Sequence, residues 1–155
     1  MELNTGIVRQ GRQEISDGLS RVLADTYALY LKTQNCHWNV RGCEFYSLHL
    51  LFESQYKEMA EAVDEIAERI GALGFFVEAS FHGFKSKTKI KEEDKVLGAK
   101  EMIVSLLEGH ELFIREARVL VGIAERDKDA ATVDLLSRRL GAHEKMAWFL
   151  RNHLI

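Results

Sequence analysis

The sequence of 155 residues has no proline, only two cysteines, and few aromatic residues, which make up 9% of the chain. The absence of proline leaves long helices uninterrupted and excludes proline-rich linkers and collagen-like repeats. Cys36 and Cys43 are too few for a disulfide scaffold, and their six-residue gap does not match a zinc site. We expect both thiols to be free and buried.

The chain also lacks a long apolar run and a strong charge of one sign. No stretch approaches the roughly 18 apolar residues that cross a membrane, and no signal-peptide pattern opens the chain. The net charge is -3, so no overall positive field attracts nucleic acid or anionic lipid. The sequence predicts one cytoplasmic domain over residues 1–155, with residues 1–12 as a short N-terminal arm.

Apolar residues recur at intervals of three and four along four long segments, which is typical of amphipathic helices. The first segment spans residues 13–39 and is predicted to stop at Gly42, because glycine suits the left-handed residue after a helix, and the second spans residues 45–73. The third opens near Glu92, where acidic residues suit a helix N-terminus, and the fourth begins after Asp129. The connector at residues 75–91 contains four phenylalanines and predicts a short extra helix. The fold class is therefore an all-α four-helix bundle.

Histidines and carboxylates are regularly spaced in the first two segments. His49 and Glu53 are four residues apart, Asp64 and Glu68 repeat that spacing, and His37 prolongs the inward stripe of the first helix. Imidazole with carboxylates suits iron, zinc or manganese. Spacing alone also fits solvated charge pairs and a core histidine at position 37, so both interpretations stay open at this point.

The length of the second helix decides how these ligands could meet. His49 and Asp64 are 15 residues apart in the sequence, which is about 22 Å along a helix. Because the ligands of one metal lie within about 2.0–2.6 Å of it, the two pairs cannot share a metal within one chain. Antiparallel packing of two copies about a two-fold axis would bring them together and create two identical sites per dimer.

A longer pattern connects these residues to a known family. Its parts are His37-Trp38-Asn39-Val40-Arg41-Gly42, Phe45, Leu48-His49, Phe52-Glu53, Asp64-Glu65-Ile66-Ala67-Glu68-Arg69, Asp134-Leu135-Leu136, His143-Glu144-Lys145 and Trp148. This combination resembles the Dps family of mini-ferritins, and it covers the chain from the first helix to the fourth.

The resemblance implies a ferritin-like subunit of a hollow homododecamer. Such a protein is a ferroxidase: it binds Fe(II), oxidises it, preferably with hydrogen peroxide, and stores ferric mineral, which protects against oxidative damage. By position, His37, His49 and Glu53 of one subunit would bind iron with Asp64 and Glu68 of its two-fold partner. Several family members have aspartate at the position of Glu53, and we expect glutamate to be tolerated there because it keeps the charge.

The resemblance also gives roles to residues near the site and at a pore. Trp38 matches a family tryptophan close to the iron, so it is either a sink for oxidising equivalents or a packing aromatic. Asp129 and Asp134 match acids that line a three-fold iron-uptake pore, whereas the structural alternative is helix capping by Asp129 and a solvated Asp134. Arg138 departs from members with an acid there. His143 is expected to be a core histidine.

DNA binding is the main alternative function. Some Dps proteins coat DNA through lysine-rich tails, but the first fourteen residues contain no lysine. One lysine run, at residues 85–91, is followed directly by acids. DNA binding and nucleoid association are therefore not favoured, although a nucleoid-organising shell with purely structural metal sites remains the alternative. An ordinary ferritin is disfavoured because no Glu-x-x-His motif occurs.

Overall fold

The computed structural model describes residues 3–155, and over that range it contains five helices and no strand. The helices are α1 (Arg9–Asn39), α2 (Phe45–Ala72), α3 (Phe81–Lys87), α4 (Ala99–Arg126) and α5 (Ala130–Asn152). The all-α class and the short extra helix, α3, confirm the predicted architecture. None of the helices described is long and apolar enough to span a membrane.

The four long helices pack antiparallel around a continuous core. Helix α1 packs on α2 and α4, α5 packs on α4, and α3 lies against α1. Apolar side chains that repeat along each helix are removed from water here, which is the main favourable contribution to folding. A second buried cluster fills the end of the bundle where α1 ends and α2 begins, and it includes Cys36, Val40, Leu48 and Phe52. His37 and His49 belong to the same end of the bundle, one at the end of α1 and the other near the start of α2.

The turn between α1 and α2 follows the predicted glycine stop. Helix α1 ends at Asn39, the Val40 N–H donates to the Cys36 carbonyl at 2.9 Å, and Gly42 has a φ of 113°. Glycine suits this position because it alone enters the positive-φ region without a Cβ clash. The chain therefore reverses over a short loop, and the start of α2 lies beside the end of α1.

The predicted start of the third long helix is wrong. Residues near Glu92 are not helical, and α4 begins at Ala99. Glu92 accepts a hydrogen bond from Lys85, and Glu93 accepts hydrogen bonds from Lys32 and Ser105. These acids anchor the connector to neighbouring elements. The actual helix start is marked by Glu101, whose carboxylate accepts the N–H of Gly98, three residues earlier.

Helix α1 starts inside the segment expected to be an arm. It begins at Arg9, and the described part of the arm precedes that residue. Arg12, although charged, is only 7% exposed and donates to the carbonyls of Ile7 and Leu73. These bonds connect the start of α1 to the end of α2, which explains why helical structure extends further than the apolar pattern. The arm's first two residues, 1–2, lie outside the described residues.

The two thiols have different environments. Cys36 is buried, and burial raises its pKa to about 12, so it stays a protonated core residue. Cys43 is exposed in the turn between α1 and α2, which corrects the expectation that both thiols are buried. Residues 41–44 of this turn are all exposed, so nothing there covers the Cys43 side chain.

Two histidines lie in the middle of the core. His110 and His143 are both 0% exposed, and the His143 ring stacks on Phe113 at a centroid distance of 3.6 Å. Burial lowers the pKa of His110 to about 3 and holds that of His143 well below its ordinary value. The expectation that His143 is a core histidine is confirmed.

Candidate metal centre

The predicted ligands His37 and His49 form a reciprocal pair across the α1–α2 junction. The His37 Nδ1 donates to the backbone carbonyl of His49 at 2.8 Å, and the His49 Nδ1 donates to the carbonyl of His37 at 2.9 Å. The two rings are stacked, with centroids 3.8 Å apart and planes 20° apart. We call these two residues the histidine pair.

The hydrogen bonds determine which ring nitrogens are available. A carbonyl oxygen can only accept, so each Nδ1 must carry its proton, and in a neutral ring the Nε2 lone pair is left free. Metal-binding histidines are commonly oriented in this way by a backbone carbonyl on the other nitrogen. The histidine pair therefore holds two ring nitrogens in fixed orientations within one subunit.

Two aromatic side chains hold the histidine pair from either side. Phe45 stacks on His49 at a centroid distance of 5.1 Å, and Tyr56 meets His37 edge-on at 5.2 Å. His37 is 8% exposed, whereas His49 is partly exposed. This packing restricts rotation of both rings and protects one side of the site from water.

Glu53 supplies a carboxylate one turn beyond His49. It accepts a hydrogen bond from Lys57 at 2.5 Å, and this bond and the lysine charge lower the pKa of Glu53, as do the nearby His37 and His49. Glu53 is thus a carboxylate anion at neutral pH. Glu53 is therefore near enough to His37 and His49 to respond to their charge, although the three side chains do not converge on one point.

Asp64 and Glu68 lie elsewhere on α2. Both are exposed, and neither has an ion pair among residues 3–155. Over the same range, no group of three or more His, Cys, Asp and Glu side chains is close enough to hold a metal ion. The predicted ligands of α2 therefore lie far apart within one subunit, as the helix length requires.

The predicted pore residues are already engaged within the subunit. Asp129 is 2% exposed, caps α5 through the Thr132 N–H and pairs with Arg69 at 2.7 Å. Asp134 is exposed and pairs with Arg138 at 3.1 Å. The structure thus gives Asp129 the capping role that was its alternative, and a pore role for either acid stays a prediction.

The remaining predicted surface features are also described. Trp38 is 64% exposed and lines a surface groove with Leu31 and Lys32. Within the lysine run, Lys85, Lys87 and Lys89 each pair with a glutamate of the same chain. These pairs neutralise much of the positive charge that DNA phosphates would need.

Sequence reasoning missed the carbonyl partners of the histidine pair and the contact made by Tyr56. The hydrogen bonds depend on ring rotation, which spacing does not show. Tyr56, however, lies seven residues after His49, or two helical turns along the same face. That interval was a usable signal for an aromatic side chain beside the site.

Comparisons with known proteins agree with this arrangement. Residues 16–155 match the ferritin-like domain. The chain is 36% identical over 154 residues to an uncharacterised low temperature-induced protein of Nostoc sp., which covers 98% of this chain and 86% of that protein. It is 33% identical over 146 residues to the DNA protection during starvation protein of Porphyromonas gingivalis, with 94% and 92% covered.

A solved structure gives the same result in three dimensions. The Dps protein of Vibrio cholerae O1, described as a member of a broad superfamily of ferritin-like diiron-carboxylate proteins, superposes with a TM-score of 0.94. The two chains are 29% identical, and the match covers 100% of this chain and 98% of that one. This chain belongs to the Dps family of ferritin-like proteins.

Proposed function

We propose that this protein is a ferroxidase that takes up Fe(II), oxidises it with hydrogen peroxide and stores the ferric product. The observation that carries the proposal is the histidine pair, whose two Nδ1 atoms are bonded to carbonyls and whose Nε2 atoms remain free beside the anionic Glu53. Imidazole nitrogen with carboxylate oxygen, and positions left open for an oxidant, suits redox-active iron.

The complete site is proposed to form between two subunits. Asp64 and Glu68 are exposed carboxylates about 22 Å and about 28 Å along α2 from His49, so a two-fold partner in antiparallel contact would supply them. An apolar surface groove beside the Asp64–Glu68 flank, lined by Val63, Ala67 and Phe84 among others, supports such a contact. Exposed apolar surface of this kind is typical of a protein interface.

The chemistry uses iron as the substrate. Two ferrous ions each give one electron to a peroxide molecule, which takes up two protons and leaves as two water molecules. The neutral imidazoles bind Fe(II), and the carboxylates offset the charge that increases when Fe(III) forms. Removing iron and peroxide together would prevent radical damage, and a hollow cytoplasmic dodecamer would hold the mineral. Protonation of the imidazoles would weaken iron binding at low pH.

Iron uptake is proposed to occur through a three-fold pore that includes Asp134, with Asp129 fixing the start of α5. Arg138 pairs with Asp134 and with Glu65. The guanidinium would partly neutralise an acidic funnel at this point, so we expect weaker attraction of cations than in a pore lined by acids alone.

The test measures Fe(II) oxidation by metal-stripped protein, without oxygen, before and after addition of stoichiometric peroxide. His49→Asn is the key variant, because the asparagine amide can still donate to the His37 carbonyl but has no equivalent of Nε2. We expect folded particles with greatly slowed oxidation. His82→Asn, at an exposed histidine of α3, is the matched control. A dodecamer-sized wild-type particle that oxidises iron no faster than buffer would contradict the proposal.

A second candidate function is a DNA-binding shell in which the metal sites are only structural. The family relatives named for DNA protection keep it under consideration, but the internal pairing of Lys85, Lys87 and Lys89 opposes it. Gel retardation at increasing salt separates the two. Glu92→Gln with Glu116→Gln should release Lys85 and Lys89 and create salt-sensitive retardation that the wild type lacks.

A further inference from the structure

A row of aromatic rings in contact leads from the proposed iron site along the α1–α2 interface. Tyr56 meets the His37 ring at a centroid distance of 5.2 Å, Tyr30 meets Tyr56 at 6.0 Å, and Tyr27 meets Tyr30 at 5.9 Å. Tyr27 then stacks on Phe84 of α3 at 4.8 Å. These distances are in the range of direct aromatic contact. We call Tyr56, Tyr30 and Tyr27 the tyrosine row.

The row is built by side chains from two helices. Tyr27 and Tyr30 are three residues apart on α1 and therefore neighbours on one face. Two further turns separate Tyr30 from His37, and the antiparallel α2 fills that interval with Tyr56. Since α1 rises about 1.5 Å per residue, the row covers about 15 Å between positions 37 and 27.

We propose that the tyrosine row is an electron-donor route, with Tyr56 as the first donor to the iron site. The proposal rests on the ferroxidase function above and adds a second source of electrons to it. Tyrosine is suited to this step because its phenol can lose an electron and a proton together. All three side chains are partly buried, so the ring is shielded while the phenolic proton can still reach water.

The need for such a donor follows from electron counting. Reduction of peroxide to water takes two electrons, whereas a site holding a single Fe(II) supplies one. In the proposed step, Fe(II) and the Tyr56 phenol each give one electron. The O–O bond breaks, one external proton and the phenolic proton are taken up, and the products are Fe(III), a tyrosyl radical and two water molecules. The oxidising equivalent then passes to Tyr30 and Tyr27, away from His37.

Trp38 follows His37 in the sequence but is a different kind of neighbour. Its indole is 64% exposed and lies with Leu31 and Lys32 on the outer side of α1. The aromatic ring in edge contact with His37 is Tyr56. The geometry therefore favours tyrosine, and not tryptophan, as the first residue oxidised when iron is scarce.

The chain provides a matched set of variants. It has four tyrosines, of which Tyr46 is 73% exposed on α2 and outside the row. Phenylalanine replaces each ring without loss of packing. The full-length protein is labelled with ring-deuterated tyrosine and loaded with one Fe(II) per proposed site. It is then mixed with peroxide and frozen at short times. Radicals are recorded by electron paramagnetic resonance, and iron oxidation is followed in parallel.

We expect a radical signal narrowed by tyrosine deuteration in the wild type and in Tyr46→Phe, and loss of that signal in Tyr56→Phe. Iron oxidation with excess Fe(II) should be retained in the wild type and in Tyr46→Phe. Tyr30→Phe should keep a radical but confine it to Tyr56. Equal signals in Tyr56→Phe and Tyr46→Phe, or a signal that is insensitive to deuteration and lost in Trp38→Phe, would overturn the proposal. If the wild type oxidises iron without a tyrosyl signal, the electron-donor proposal fails and the ferroxidase function stands. If the wild type does not oxidise iron, both proposals fail.

Discussion

His110 of α4 and His143 of α5 face each other through their Nδ1 atoms, which lie 3.0 Å apart in a fully buried position. A contact this short is a hydrogen bond only if one Nδ1 carries a proton and the other does not. Two protonated rings would instead repel each other beside the cationic Arg139, which also lowers the pKa of both histidines. Burial, the main cause of the lowered pKa values, keeps both rings neutral in the native core.

Stability should consequently fall in mildly acidic solution. Because the folded-state pKa values are lowered, the unfolded chain takes up protons first. The free energy of unfolding keeps its full value above about pH 6.5. It decreases as the pH falls towards the pKa values of the folded state, by at most about 1.4 kcal/mol per pH unit for each histidine. Urea unfolding at fixed protein concentration measures this slope. His143→Gln should flatten it and His82→Gln should not; equal slopes in the two variants would contradict the assignment.

Removing Lys57 should strengthen metal binding. The lysine lowers the pKa of Glu53 and occupies one of its oxygens, so an arriving cation must displace it. In Lys57→Gln we expect a few-fold tighter Co(II) binding at neutral pH, measured by calorimetry. The pH dependence of Co(II) binding should also shift to higher pH, since the Glu53 pKa rises when the Lys57 ammonium is removed. Lys57→Arg keeps the charge and is the control; identical affinities in all three proteins would show that the pair does not compete with metal.

Variants of Asp129 can separate capping from a pore role. Burial would raise the pKa of Asp129, but its bonds to Arg69 and Thr132 outweigh burial and lower it. Asp129→Ala removes the cap and should reduce stability by about 1–2 kcal/mol. Asp129→Asn can still cap and should unfold closer to the wild type in thermal denaturation. If Asp129→Asn keeps its stability but mineralises iron as slowly as Asp134→Asn, the carboxylate acts in uptake.

Close packing of α1 against α4 depends on Gly18. A Cβ there would lie 2.3 Å from Cδ1 of Leu120, so Gly18→Ala should destabilise the subunit by about 1–3 kcal/mol through overpacking. Gly141 is an exposed position inside α5 where a Cβ meets nothing within 4 Å, and Gly141→Ala should stabilise by about 0.5–1 kcal/mol. Chemical denaturation measures the free energy of unfolding of both variants. If it changes in the same direction in both, the packing argument is contradicted.

The long helices could be predicted because their apolar stripes coincide with the buried faces, and the Gly42 stop because its backbone geometry favours glycine. The start of α4 could not, since Glu93 is held by Lys32, which lies 61 residues earlier in the chain. Local sequence carries no record of such a contact. For the same reason, spacing identified His37 and His49 as candidates without revealing their carbonyl partners.

The reciprocal bonds of the histidine pair have a consequence for the order of assembly. Both partners of each bond belong to the same hairpin of α1 and α2, so the two nitrogens are oriented as soon as that hairpin folds. No second subunit is needed for this step. In the proposed function, the newly made chain thus has both ring nitrogens oriented before it meets another copy, and association would add only the carboxylates of Asp64 and Glu68.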